Sequence, residues 1–401
     1  MSRRELSDWL TGYIKYTENS EPPLSYHTWC GISVIAGALQ RKVWLSWGFE
    51  MIYPNMYIVL VGPSGKSRKG IAIGIAKDIL NEVPNVSLSS EAATREAVIN
   101  AMKRSITNFQ APDGVVKFHC SLTCFSEELS VFLGQSDTKF LANLTDWYDS
   151  KNLWRYETIG RGLDSLQGVC FNFLGGTAPD WLQSILPQEA VGGGYTARVI
   201  FVVEEAKGKT VAKHDLTEDE KKLQKALQRD LEKISQLVGP YTFDADGEAA
   251  YIAWYEGEDA KAKKGEYPIE DPRFASYTER RATHLRKLMM IMSASRGDEM
   301  TLTKRDYDRA LSVLKTTERK MQKTFGGLGQ AKYSAVTEKV MQYVQLMGTV
   351  SRSELMRKFH RDVDGQVLKI IEELMMMTKL VDIDIVPRSG EKVYKWLGTK
   401  K

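Results

Sequence analysis

The stretch Met56-Tyr-Ile-Val-Leu-Val-Gly-Pro-Ser-Gly-Lys-Ser-Arg-Lys-Gly-Ile-Ala-Ile-Gly-Ile-Ala76 decides the reading of this 401-residue chain. Met56 to Val61 reads as a buried strand, Gly62 to Gly70 as a glycine-rich cationic turn, and Ile71 to Ala76 as the start of an apolar helix. A strand, a glycine-rich turn and a helix in that order are the setting of a phosphate-binding loop. Successive backbone N–H groups and the helix N-terminus cradle phosphate oxygens there, while a lysine ammonium reaches the outer phosphates. The candidate phosphate contacts are therefore Gly62, Pro63, Ser64, Gly65, Lys66, Ser67, Arg68, Lys69 and Gly70.

The spacing departs from G-x-x-x-x-G-K-[ST] in either register. With Gly65-Lys66-Ser67 as its last three letters, the first glycine falls on Leu60, inside the strand. With Gly62 as the first glycine, Lys69 comes one residue late and Gly70 replaces the Mg²⁺-binding hydroxyl. A loop with one extra residue still wraps a phosphate more easily than one with two missing. Lys69 is accordingly the favoured lysine, Lys66 the alternative, and Ser67 the available hydroxyl for the metal.

Working outward, Met56 to Val203 alternates strand, loop and helix, the pattern of a parallel α/β sheet, with strands expected at Met56–Val61, Phe118–Phe125, Val169–Leu174 and Val199–Val203. Residues 1–48 read as an N-terminal helical collar broken at Glu21-Pro22-Pro23. Residues 204–240 are charge-rich and read as a solvated helix or connector, and residues 245–325 as all-helical. Gly326-Gly327-Leu328-Gly329-Gln330 is a linker by composition. Beyond it, three helices and a β-hairpin in residues 331–401, with Ser351 and Glu354 at a helix start, spell a winged helix-turn-helix.

The net charge of +4 looks uninformative until it is resolved along the chain. Residues 331–401 hold 13 Lys/Arg against 9 Asp/Glu, leaving 42 of each sign in the first 330 residues. The four cysteines show no C-x-x-C spacing and the five histidines are scattered, which argues against a zinc site or disulfide framework. No signal peptide or membrane-length apolar run is read, so a reducing cytoplasm and no membrane partner are expected.

The run Tyr53-Pro-Asn-Met-Tyr57 leading into Val61-Gly-Pro-Ser-Gly65 and Arg68-Lys-Gly70 resembles the helicase-like P-loop ATPases of phages and mobile elements. These are labelled replicative helicases or primase-helicases and are distantly akin to the MCM and superfamily-3 branch of the AAA+ fold. The resemblance covers about residues 1–325. It implies an α/β, AAA+-like ATPase core over 49–205, a helical lid region over 206–325, ATP and Mg²⁺ as cofactors, a single DNA strand in a central channel, and assembly as a homo-hexamer in a bacterial host cell.

Such an ATPase needs an acidic pair at the end of a neighbouring strand, one carboxylate for the metal and one to polarise the attacking water. The resemblance puts Glu127 in the first place, where the family carries Asp, and Glu128 in the second, the catalytic Glu place; a Glu-rich helix start is the plain alternative. It makes Thr177, on the strand between the loop and the acidic strand, the γ-phosphate sensor. Arg198, after Gly192-Gly-Gly, becomes an inter-subunit arginine finger, and Arg280 or Arg281 a lid arginine. A hairpin around Gly160-Arg161-Gly162 would face DNA with Lys151, Arg155 and Arg161, and the C-terminal module would grip a DNA backbone with Arg357, Lys358, Arg361, Arg388 and Lys392, unless it contacts protein instead. The sequence therefore leads to the expectation of an ATP-dependent DNA helicase or translocase. Its rivals are a DNA-binding scaffold or loader with a decayed ATPase, and a packaging-type P-loop motor.

Overall fold

The structure is a computed structural model that describes residues 4–90, 94–134, 137–158, 162–179, 181–182, 192–213, 215–325, 334–360, 363–378, 380–387 and 390–398. It resolves into two compact units, Met1–Gly326 and Gly327–Lys401, divided within the glycine-rich run. Among the described residues no helix is long and apolar enough to cross a membrane.

In the first unit, helices α1 (Trp9–Thr17) and α2 (Leu24–Leu39) flank the Glu21-Pro22-Pro23 break. Asp8 caps α1 by accepting from the Thr11 amide, and α2 is buried along nearly its whole length. The expected helical collar ends early. Val43–Trp47 is a strand, β1, whose branched and aromatic side chains suit a half-buried pleat, and it pairs with β2 (Glu50–Ile52).

The chain then runs through β3 (Tyr57–Val61), α3 (Lys69–Asn81), α4 (Arg95–Arg104), β4 (Ile106–Gln110), β5 (Val116–Ser126), α5 (Leu129–Leu133), α6 (Thr138–Tyr148), β6 (Leu153–Thr158), β7 (Gly162–Gln167), β8 (Val169–Thr177) and β9 (Val199–Val203). Then come α7 (Glu218–Ser235), β10 (Gly239–Phe243), α8 (Ala245–Ala262), α9 (Ala275–Arg296), β11 (Thr301–Leu302) and α10 (Lys304–Met321). Residues 245–325 are thus mainly helical, interrupted by the loop between α8 and α9 and by β11, which pairs with β10 to extend a small sheet of order β11-β10-β1-β2. Two-residue strands carry no alternation for a sequence reading to find.

The central sheet has the order β4-β5-β8-β3-β9, with β4 antiparallel and the rest parallel. All five residues of β3 are buried, as expected of a parallel strand covered on both faces. The register Val61↔Thr177 and Ser126↔Gly175 brings the C-terminal ends of β3, β8 and β5 together, with β8 in the middle. Helix α7 is more than a solvated connector: Leu227, Leu231 and Ile234 are buried, and the fully buried Asp230 accepts from the amides of Glu5 and Leu6.

The second unit comprises α11 (Ser334–Met347), β12 (Thr349–Ser351), α12 (Arg352–Phe359), α13 (Gly365–Thr378), β13 (Val381–Ile385) and β14 (Lys392–Trp396). Its strands form an antiparallel sheet of order β12-β14-β13, one strand more than the expected hairpin. Ser351 caps α12 by accepting from the Glu354 amide, and Val340, Val344, Leu355, Ile371, Met375 and Tyr394 share one core.

Candidate active site

The turn after β3 is drawn tight by close approach. A side chain at Gly62 would put its Cβ 2.4 Å from the Glu204 carbonyl oxygen and 2.5 Å from Ser67 Oγ, so only glycine fits. The Gly62 amide donates to the Thr177 carbonyl at 3.1 Å, tying the loop to the end of β8. Gly65 takes φ +70°, and Arg68, immediately before the helix, takes φ +59° and ψ +34°. A left-handed non-glycine residue costs on the order of 1–2 kcal/mol. Arg68 is held there in part by an ion pair of 2.7 Å with Glu21, whose carboxyl is kept down at about 2 by hydrogen bonds from Lys207 and the Val211 amide and by the Arg68 charge.

Lys69 is the first residue of α3 and only 6% exposed, and its Nζ donates to the Gly62 carbonyl at 2.6 Å, so the ammonium lies folded over the loop. Burial pulls its pKa below the ordinary lysine value, and the charge of Glu128 opposes that shift. Lys66 is exposed on the outside of the turn. Ser67 does not stand where the sequence put it. Fully buried, its hydroxyl donates to the Pro63 carbonyl and meets the Tyr26 hydroxyl, bracing the loop from within.

The acidic pair arrives from β5. Its last residue, Ser126, donates from Oγ to the Glu128 carbonyl at 2.9 Å, and both Glu127 and Glu128 side chains are exposed. Glu127 leans over the start of α3: a Cβ built on Gly70 would lie 2.6 Å from Glu127 Oε2. The carboxylate therefore occupies the space that a side chain at position 70 would fill. The missing hydroxyl and the longer acid, two separate departures in the sequence, meet at one point. A Cβ built on Gly176 would likewise lie 2.6 Å from the Glu127 carbonyl oxygen, and Thr177 is fully buried beside it.

This donor set suits Mg²⁺, which is held by one or two carboxylates together with substrate phosphates and water. Among the described residues no group of three or more His, Cys, Asp or Glu side chains forms a self-sufficient metal cage.

The arginines are placed differently from expectation. Arg198 sits at the opposite end of the sheet from the loop, since Tyr57 rather than Val61 pairs with Val199. Its side chain is 7% exposed, bonds Asp149 Oδ2 at 2.5 Å and the Gly194 carbonyl at 2.7 Å, and shares Asp149 with Arg280 at 3.2 Å. Within one chain it does not serve the loop. Arg281 is corrected outright: its buried fork closes on Glu318 at 2.7 and 2.9 Å and on Glu258, so it is an internal clamp between helices. Neither Asp149 nor Glu318 carried any local signal in the sequence.

Antiparallel β6 and β7 form the expected hairpin ahead of β8. Arg155 is exposed on it, and Lys151 forms an exposed pair with Asp146; Arg161 lies outside the described residues. In the second unit Arg357 and Lys358 are exposed on α12, while Arg361 and Arg388 lie outside the described residues. Lys392 is corrected: it pairs with the buried Glu372, which also accepts from Tyr394 at 2.6 Å, so its first task is to neutralise that carboxylate. Compared with protein-family models and with curated proteins, the chain matches none.

Proposed function

We propose that this chain is a Mg²⁺-dependent ATPase of AAA+-like P-loop architecture that moves DNA, working as a ring of identical subunits, with the second unit a winged helix. The observation that carries the reading is the meeting of β3, β8 and β5. The lysine folded over the glycine turn, the Glu127 carboxylate one residue further on, and Thr177 on the strand between them form the constellation a nucleoside triphosphate requires.

In this reading the triphosphate displaces the Gly62 carbonyl from Lys69, whose ammonium then bridges the outer phosphates. Backbone amides of 64–69 wrap them. Mg²⁺ held at this site would supply positive charge to offset that of the phosphates. Glu127 holds the metal, Glu128 takes the proton of the attacking water as the bond to the β-phosphate breaks, and the Thr177 hydroxyl reports on the γ-phosphate. Arg198 acts on a neighbour's nucleotide after leaving Asp149, which makes hydrolysis depend on assembly.

The test is DNA-stimulated ATP hydrolysis measured with particle mass on the same sample, for wild type, Lys66→Ala and Lys69→Ala. The expected result is DNA-stimulated turnover by a ring, lost in Lys69→Ala and kept in Lys66→Ala. Near-wild-type turnover in both variants removes the P-loop reading, and nucleotide binding without wild-type turnover favours the scaffold alternative.

A further inference from the structure

At the other end of the central sheet, where β5 and β8 begin and the β6–β7 hairpin is rooted, lies a cavity of about 310 Å³. Glu127 lies nine positions along the chain from Phe118, roughly 30 Å at about 3.3 Å per residue of strand, so the cavity is not part of the Lys69 site. Its walls are aromatic. Trp44 and Tyr53 are buried, and Phe118 at the rim is 51% exposed, an unusual position for a large apolar ring on a strand.

Two cations are stacked on those walls. The Arg41 guanidinium lies 4.0 Å from the Tyr53 ring centre and donates to Asn152 Oδ1 at 2.7 Å, and Lys117 Nζ lies 3.9 Å from the Trp44 ring centre. Arg41 is 5% exposed. Buried Arg198 and Arg281 each close on a carboxylate, whereas the groups that act on Arg41 are Tyr53, Cys170 and Cys120. His119 lies within reach of the charges of Arg41 and Lys42, and burial together with those two cations keeps it neutral. Among the described residues no carboxylate is paired with Arg41, and a buried guanidinium without one is strongly penalised. The local field therefore calls for an anion, and the aromatic walls call for a flat ring.

We propose that this pocket binds single-stranded nucleic acid, taking one base against Trp44 and Phe118 and the adjoining phosphate toward Arg41 and Lys117. Stacking on aromatic faces beside a cationic track is how single strands are held without sequence preference. The proposal rests on the nucleic-acid part of the function proposed above and not on ATP hydrolysis.

The test is fluorescence anisotropy of the full-length protein with a fluorescein-labelled oligothymidylate of about 20 nucleotides, across a KCl series, without nucleotide. Phe118→Ala removes one exposed stacking face and is expected to weaken binding about fivefold or more, from about 1 kcal/mol or more per stacked base. Lys117→Ala is expected to lower the slope of log K against log salt by about one. Thermal melts of both pocket variants should stay at the wild-type midpoint. Competition by free thymidine monophosphate at the strand's own affinity would overturn a strand site in favour of a mononucleotide pocket. If both pocket variants bind and melt like wild type, the strand is held elsewhere and the pocket proposal fails alone. If the wild type binds no strand at any salt, the nucleic-acid reading fails with it.

Discussion

The contact between Glu127 and Gly70 makes the sharpest prediction. Gly70→Ser restores the hydroxyl of the ordinary motif, yet its Cβ would arrive 2.6 Å from Glu127 Oε2 and 3.3 Å from Cδ. The obstructing atoms are the far end of an exposed, flexible side chain, so the fold does not suffer. Leaving glycine within a helix recovers roughly 0.5 kcal/mol, which offsets the small cost of displacing the carboxylate. What changes is where that carboxylate lies. If Glu127 holds the metal, moving it away should weaken Mg²⁺-dependent nucleotide binding by about 10- to 100-fold, the usual effect of disturbing a metal site's supporting groups.

Aspartate is one methylene shorter and withdraws the carboxylate by roughly 1.5 Å, about one carbon–carbon bond, which clears room for a side chain at 70. Gly70→Ser/Glu127→Asp should therefore bind more tightly than the product of the two single effects predicts, with a coupling of about 1 kcal/mol or more, or about fivefold. The assay is titration of a fluorescent ATP analogue at fixed Mn²⁺ or Mg²⁺, repeated in excess chelator, with a thermal melt of each variant. Wild-type affinity in Gly70→Ser, or strictly additive effects in the double variant, would refute the assignment of Glu127 to the metal. A wild type that binds no nucleotide would refute the ATPase reading itself.

Other consequences are as direct. Arg281→Ala leaves Glu318 buried without its partner and should cost about 3–5 kcal/mol, read as a lower denaturant midpoint with unchanged slope. Asp149→Ala should free Arg198 and Arg280; if Arg198 serves a neighbour's site, turnover per ring should persist in Asp149→Ala and vanish in Arg198→Ala, and equal losses in both would mark the pair as structural. Burial lowers the pKa of His27 and His119 to about 4 and of His284 to about 3. The unfolded chain protonates these side chains near 6.5 while the native state resists, so stability should fall as pH drops from about 6.5 toward 4, by up to about 3 kcal/mol for each histidine. His284 accepts from the Tyr148 hydroxyl and faces the Ala197 carbonyl, so His284→Gln should flatten the acid limb of a melting-temperature curve; an unchanged limb would remove His284 from that account.

The parts legible in the sequence were those governed by local pattern. The continuous apolar runs at Tyr57–Val61 and Val199–Val203 announce parallel strands because both faces of such a sheet are covered. The Ser351 cap and the glycine run at 326–330 mark a boundary for equally local reasons. Charged residues were the least legible, because the task of an arginine depends on which carboxylate the fold brings to it. Arg198, Arg281 and Lys392 each resemble a surface cation in their own stretch, and their partners are 49, 37 and 20 residues away. Arg41 gives no signal at all in the sequence, since its distinction is to be buried with Tyr53 and Asn152 and, among the described residues, with no carboxylate paired to it.

The irregular turn shows where this difference matters most. Taken one at a time, a glycine in place of the hydroxyl and a glutamate in place of the usual aspartate each favour a decayed site. Decay has no reason to make two losses fit each other. Here the longer acid reaches across to the position that the absent side chain vacates, and a side chain at that position would have to push the carboxylate aside. Lys69, pulled under cover at the helix start, sits one residue away with Glu128's charge acting on it. Paired departures that complement one another in space support a working site rebuilt around a shifted lysine. The Gly70→Ser/Glu127→Asp cycle asks whether the same site can be turned back to the ordinary arrangement by changing both residues, when changing either alone should injure it.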